Sequence, residues 1–241
     1  MDSNHKPYDH VASFSRIDDI LALPRGNYEE VKELPDRDAL TFENGFYAYC
    51  SAIFVDIRDS SSLPTHYNRP ALAKLYRAYI SEAVAILNSF EKTREINIVG
   101  DGVWAVVNTP KKSDINAVFS LGARINTLMK VLNYKLDKAG YEEPVKAGVG
   151  MDYGRALMIK AGFKGSGIND VVYMGDVVNH AAKLAAKANK DYSPPIFIGN
   201  VFANNLDADR TELITKDYLN DCYTADCVNT AMNDWYKENC E

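Results

Sequence analysis

No uncharged apolar run in this sequence approaches the roughly 18 residues that a membrane span requires, so no transmembrane helix is expected. The opening residues MDSNHKPYDH lack the basic start and apolar stretch of a signal peptide, and the expected location is the cytoplasm. Cysteine is scarce. The four present, Cys50, Cys222, Cys227 and Cys240, include no C-x-x-C pair and stand near no histidine at zinc spacing, so they are expected to be reduced thiols. No internal repeat and no low-complexity tract occurs. Positive charge is in deficit, with 27 Lys and Arg against 33 Asp and Glu. The resulting charge of −6 argues against a nucleic-acid binder, yet leaves room for clustered lysines to hold a small polyphosphate.

Apolar residues make up 46% of the 241, enough for one sizeable core. Residues 1–43 are polar and proline-punctuated and read as an N-terminal extension with at most a short helix. Residues 44–217 carry the regular patterns of a catalytic-sized domain, and 218–241 read as a C-terminal hairpin and tail. FYAYCSAIFVDI is apolar on both alternating faces, which suits a buried central strand. Pro70 opens a helical pattern of Leu72, Leu75, Tyr76, Tyr79, Ala83, Ile86, Leu87 and Phe90. A second amphipathic helix follows, with Ser113 or Asp114 expected as its N-cap. VKAGVGMDYGRALMI reads as two strands joined at Asp152 to Gly154, and GDVVNHAAKLAAKANK as a third helix. Hairpins mixed with helices predict an α+β fold with an antiparallel-rich sheet covered mainly on one face.

The stretch INIVGDGVWAVV, residues 96–107, places Asp101 between two glycines. Asp-Gly between two β-prone runs is a strong hairpin signal, and a turn alone asks of Asp101 only a left-handed backbone, which aspartate adopts cheaply. AIFVDIRDSSSL supplies a second carboxylate, Asp56, near the end of the central strand, followed by Ser60, Ser61 and Ser62. A carboxylate followed by a turn of free N–H groups can hold a divalent metal together with phosphate oxygens, although Asp59 and the serines also fit plain turn and capping roles. If that strand pairs with the hairpin, Asp56 and Asp101 approach and repel unless a cation lies between them. Hard oxygen ligands suit Mg²⁺ or Mn²⁺, in the two-metal arrangement for displacement at phosphorus.

FVDIRDSSSL, INIVGDGVWAVV, AGVGMDYGRALM and YMGDVVNHAAKL, in that order and at similar separations, resemble the class III nucleotidyl cyclase catalytic domain over roughly residues 46–205. The resemblance implies a ferredoxin-like βαββαβ core acting as a head-to-tail homodimer, with each site across the interface. It implies that Asp56 and Asp101 bind two divalent ions, Mn²⁺ or Mg²⁺, while the Ile57 backbone and the loop with Ser60 and Ser61 cradle the triphosphate. Arg155 then matches an arginine offered to the phosphates, and Asn179 the asparagine that orients the ribose. Lys183 falls where the family usually has an arginine stabilising charge at the α-phosphate; lysine supplies the charge without the bidentate fork. The implied reaction is cyclisation of a nucleoside triphosphate with release of pyrophosphate.

In purine cyclases of this family the residue four before the second metal aspartate is typically lysine for adenine or glutamate for guanine; here it is Asn97. The position seven before the helix asparagine is Val172, so neither purine code is present. Asn97 both donates and accepts, which suits a pyrimidine edge. Phe54 shares a strand face with Asp56 and can stack on a base or pack in the core. VDIRDSSSL and NTAMNDWYKENC resemble the bacterial pyrimidine cyclases of the Pycsar antiphage system, which implies UTP, ahead of CTP, as substrate and a separate effector activated by the cyclic nucleotide. An adenylate cyclase and a catalytically weak nucleotide-binding dimer are the alternatives. DYLNDCYTADCVNT lacks the lysine that many members place in a late hairpin, and Lys216 precedes it, which shifts the phosphate load to Lys183, Arg58 or Lys160. His180 follows Asn179 and is assigned no role.

Overall fold

The structure, a computed structural model, describes residues 3–240. Its elements are α1 (His10–Leu21), β1 (Tyr28–Glu30), β2 (Gly45–Ile57), α2 (Leu63–His66), α3 (Arg69–Asn88), β3 (Thr93–Val99), β4 (Gly102–Asn108), α4 (Lys112–Lys138), β5 (Ala147–Gly162), β6 (Asn169–Met174), α5 (Asp176–Lys187), β7 (Ile196–Ile198), α6 (Asn200–Ala203), α7 (Ala208–Thr211), β8 (Thr215–Asp217), β9 (Cys222–Ala225) and α8 (Thr230–Cys240). The strand order is β3-β4-β2-β5-β7-β9-β8, with β1 beside the start of β2 and β6 beside the end of β5. Within it, β2-α3-β3-β4-α4-β5 is the βαββαβ unit, with β2 antiparallel to both β4 and β5. The α+β class and the antiparallel-rich sheet are therefore as the sequence implies.

Two helices close one face. The Asn68 side chain caps α3 by accepting from the Ala71 N–H at 3.0 Å, and the helix buries Leu75, Tyr79, Ala83 and Leu87. α4 is capped two or three residues before the expected positions. Lys111 is the N-cap, and Asp114, at the third helical position, accepts from the Lys111 N–H at 3.1 Å and pairs with Lys92 at 2.8 Å. Both helices pack on Ile53, Val55, Val103, Ala105 and Val107. The opposite face is covered too, contrary to the one-sided expectation, because β2 is apolar on both its faces. There α5 packs with Leu34 and Leu40 of the N-terminal extension on Ala48, Cys50, Ala52 and Val106. The extension is sewn down at Asn108, whose side chain accepts from the Leu34 N–H at 3.0 Å. It also forms α1 and adds β1 in parallel to β2.

The expected turn at Asp152 to Gly154 does not exist: β5 runs unbroken for 16 residues. Its glycines admit a helix instead of a turn. A Cβ on Gly150 would stand 2.1 Å from the Ala185 nitrogen and 2.2 Å from the Ala181 oxygen, and one on Gly148 would stand 2.6 Å from the Ala185 and Ala188 oxygens. The C-terminal hairpin spans β8 and β9, which joins the sheet beside β7, and the tail ends in α8, an unexpected helix against α4. Cys50 is fully buried, and burial pushes its thiol up to about 12; all four cysteines are free thiols. Among the described residues no helix is long and apolar enough to cross a membrane.

Replacing Gly150 with Ala forces α5 off the sheet, and the expected cost is ~3 kcal/mol or more. A fall of roughly 6–12 °C in the thermal unfolding midpoint would register it.

Candidate active site

Asp56 is the penultimate residue of β2, opposite Gly148. The β3–β4 turn comprises Gly100 and Asp101 between the paired residues Val99 and Gly102. The left-handed backbone falls on Gly100, at φ 64°, and not on Asp101. Glycine thus takes the conformational demand of the turn, and the Asp101 carboxylate is left to the site. The turn lies against Asp56: a Cβ on Gly102 would come 3.6 Å from Asp56 Oδ1.

The two carboxylates act on each other. Burial raises the pKa of Asp56 most, the Arg58 charge opposes it, and Asp101 raises it further. Arg58 Nη2 meets Asp56 Oδ2 at 2.6 Å, and its guanidinium, 5% exposed, also donates to the Asp56 carbonyl and to the Ala186 carbonyl of α5 at 3.0 Å. Arg58 is therefore a fixed internal counter-ion, which withdraws it from the residues expected to carry phosphate load. Beneath the pair, the Tyr79 hydroxyl is buried without a partner, and burial followed by the charges of Asp56 and Asp101 raises its pKa. Two neighbouring carboxylates, of which one is paired with a buried arginine, suit a hard divalent cation. Among the described residues no three His, Cys, Asp or Glu side chains converge as a metal site, at the aspartate pair or away from it. The Ile57 side chain is buried in the core, so only its backbone can serve the site. Ser60 and Ser61 follow in a 3₁₀ turn, entered through Asp59 at φ 54°.

Phe54, Trp104 and Asn97 form one row across β2, β4 and β3. Phe54 stacks on Trp104 with ring centroids 5.1 Å apart and planes 2° from parallel. Asn97 Nδ2 is buried and unpartnered, as are Glu95 Oε2, two residues away on the same face, and the Tyr173 hydroxyl. Burying such a group unpaired costs about 1–3 kcal/mol, so unpaired groups gathered in one place suit a site that a ligand completes. Arg37 bridges Glu95, at 3.2 Å, and Asp170. Val172 is exposed, whereas its neighbour Tyr173 packs in the cluster that also holds Phe54 and Trp104. Strand alternation thus puts Tyr173, which the sequence reading passed over, on the face that carries Asn97.

Asn179 and Lys183 are exposed, one turn apart on the outer face of α5, while Val177, Ala181, Leu184 and Ala185 face the sheet. Asn179 lies seven residues, about 10 Å along the axis, from Ala186 beside Arg58. Within one chain, then, the aspartate pair and Asn179 stand apart. Arg155 does not join them. It follows Gly154, whose α-carbon faces Val177 of α5, so alternation turns Arg155 to the opposite side of the sheet. There it pairs with Glu30 at 2.8 Å and covers the Tyr47 ring, on the side of the sheet away from α5. Lys160 lies over Phe42. Lys216 is the opposite case: the hairpin begins at Thr215 and contains it, so the late-hairpin lysine is present.

Residues 43–192 match the family described as Adenylate and Guanylate cyclase catalytic domain. The chain is 41% identical over 262 aligned positions to a protein of Gulbenkiania mobilis named Uridylate cyclase, spanning 99% of this chain and 100% of that one. A Treponema porcinum protein of the same name is 38% identical over 232 positions, spanning 95% and 80%. Among solved structures, the adenylyl cyclase CyaB from P. aeruginosa superposes with a TM-score of 0.62 at 22% identity, over 71% of this chain and 85% of that one, a likeness of fold.

Because the Asp56–Asp101 repulsion exists only while both are ionised, it is present above the raised Asp56 pKa and is lost as the pH falls through it. Asp101→Asn is therefore expected to raise the thermal midpoint of the chelator-treated protein at pH ~8, with the gain vanishing in acid. Thermal scans of both proteins across that range check this.

Proposed function

The chain belongs to the adenylate and guanylate cyclase catalytic domain family, and from that premise we propose that it is a pyrimidine nucleotide cyclase converting UTP to a 3′,5′-cyclic nucleotide and pyrophosphate. The observation that carries the base assignment is Asn97. At the position where purine cyclases of the family use lysine or glutamate, this chain presents a buried amide Nδ2 without a partner. An amide can donate to a pyrimidine carbonyl and accept from its ring N–H, as the uracil edge requires. Near-full-length relatives named Uridylate cyclase support the same reading.

Asp56 and Asp101, with the Ile57 backbone, are the residues that would hold the divalent ions, two of Mg²⁺ or Mn²⁺. Once bound, these supply a lowered pKa for the ribose 3′-hydroxyl and positive charge for the departing pyrophosphate. The chain's own groups do the rest. The N–H groups of the loop through Ser60 and Ser61 receive phosphate oxygens. Asn179 orients the ribose, so that the 3′-oxygen attacks the α-phosphorus in line with the bond to the leaving group. Lys183 stabilises charge building on the α-phosphate, and Lys216, from the β8–β9 hairpin, faces the terminal phosphates. Because Asn179 stands apart from the aspartate pair in one chain, the reading requires a head-to-tail homodimer in which each site takes Asp56 and Asp101 from one copy and α5 from the other. The product then acts on a separate effector, in the manner of antiphage signalling, within the cytoplasm.

Purified protein incubated with ATP, GTP, CTP or UTP in Mn²⁺ is expected to yield cyclic UMP as the main product on chromatography; cyclic AMP as the main product would reinstate the adenylate alternative. Asp101→Asn should abolish turnover while leaving the dimer intact by size-exclusion chromatography. Asn97→Lys should raise the rate with ATP relative to UTP, and an unchanged ratio would remove Asn97 from the base pocket.

A further inference from the structure

His180 stands on α5 between Asn179 and Ala181, and a buried carboxylate holds it. Asp152, in the row of β5 residues that faces α5, is 10% exposed in its side chain. The space it occupies depends on Gly199, where a Cβ would come 2.0 Å from Asp152 Oδ1. That oxygen accepts from the Tyr153 N–H at 2.8 Å, and Oδ2 meets His180 Nδ1 at 2.8 Å. Burial raises the pKa of Asp152, and the His180 contact lowers it. A carboxylate accepting at Nδ1 fixes the proton on that nitrogen and turns Nε2 outward. The ring is 42% exposed, so its outer nitrogen faces open space at the edge of α5.

The groups around that nitrogen come from three elements. β5 contributes Asp152. α5 contributes Asp176 one turn before His180 and Lys183 and Lys187 on the following turns. The β8–β9 hairpin contributes Asp221, whose carboxyl is held below the usual range first by Lys216, then by Asn200, and also by the charge of His180. Lys216 Nζ reaches Asp221 at 3.0 Å and Asn200 at 2.7 Å, so Asp221 is already engaged by a lysine. α5 thus presents His180 and Lys183 three residues apart, and the hairpin brings Lys216 to Asp221, a carboxylate close enough to feel the charge of His180. The histidine differs from a lysine in being oriented by a buried anion.

We propose that His180, held by Asp152, is a further binding residue for the terminal phosphates of the substrate and for the pyrophosphate that leaves, an inference that rests on the cyclase reading. Its imidazolium donates from Nε2 to a phosphate oxygen between Lys183 and Lys216. A histidine placed only to satisfy Asp152 would need neither an exposed ring nor a lysine three residues on and a lysine-bound carboxylate within reach of its charge.

The test is the affinity of the full chain for inorganic pyrophosphate in Mg²⁺, measured by calorimetry at about pH 6 and about pH 8.5, on either side of ordinary imidazole titration. His180→Gln is expected to bind pyrophosphate roughly tenfold more weakly than wild type at the lower pH, with the two converging at the higher. His180→Lys, which keeps a cation, should retain the affinity and lose the histidine's part of the pH dependence. Equal affinities for wild type and His180→Gln at both pH values, even with a lowered melting temperature, would overturn the proposal and leave His180 a partner of Asp152 only. If the Gln variant fails to fold, the ring signals of His180 in the wild-type NMR spectrum must shift on saturation with pyrophosphate, and their failure to move is equally decisive. Binding is read without turnover, so the two readings fail separately. Pyrophosphate held through His180 without any cyclic nucleotide formed would refute the cyclase reading alone, and cyclic nucleotide formed with unchanged pyrophosphate affinity in His180→Gln would refute this inference alone.

Discussion

The close approach of α5 to β5 is the contact on which the site depends. It exists because Gly148 and Gly150 present bare backbone to the backbone of Ala181, Ala185 and Ala188, at separations that no Cβ would permit. With the helix seated that low, three consequences follow together. Asp152 can hold His180 across the contact, Arg58 can reach the Ala186 carbonyl, and Asn179 and Lys183 are left on the outward side of a helix whose inner side is fully committed to the sheet. Packing has therefore set the direction of every group that α5 offers to chemistry.

The electrostatics of the aspartate end show how a site is organised before its ligand arrives. Two carboxylates meet at a strand end and a hairpin tip, and one largely buried arginine offsets part of their repulsion while anchoring the end of α5. At the other end, a stacked Phe54–Trp104 pair floors a region where Asn97, Glu95 and Tyr173 each keep a polar atom buried and unpaired. Unpaired groups and like charges lower the stability of the isolated chain. Their concentration along one line of the sheet, where substrate is proposed to lie, is the usual trade between stability and function.

Much of this was legible in the residues. The dense apolar run 46–57 announced a buried central strand, though not that both faces of the sheet would be covered, and the Asp-Gly turn and the run ending at Asp56 announced two carboxylates that would meet if their strands paired. The spacing of Asn179 and Lys183 placed both on one side of a helix. Other features were not legible. Arg155 was selected by its match to a family motif and Val172 by its offset from Asn179, and alternation turned one away from α5 and put Tyr173 rather than the other beside the stacked aromatics. The glycines of β5 were read as a turn because a glycine needed for close packing looks the same in sequence as one needed for reversal. The late-hairpin lysine was missed because the hairpin begins at Thr215, two residues before the segment DYLNDCYTADCVNT.

By itself the sequence determined the local order of strands and helices, the presence of a carboxylate at each of two turns, and the family to which those motifs belong, since each rests on periodicity and spacing within a few dozen residues. Only the tertiary structure decided that Gly100 rather than Asp101 takes the left-handed turn position, that Arg58 neutralises Asp56, and that Asp152 and His180 form a pair. The two side-chain pairs join residues 2 and 28 positions apart, and each depends on which side of a strand or helix faces its neighbour, a choice that packing makes and composition does not.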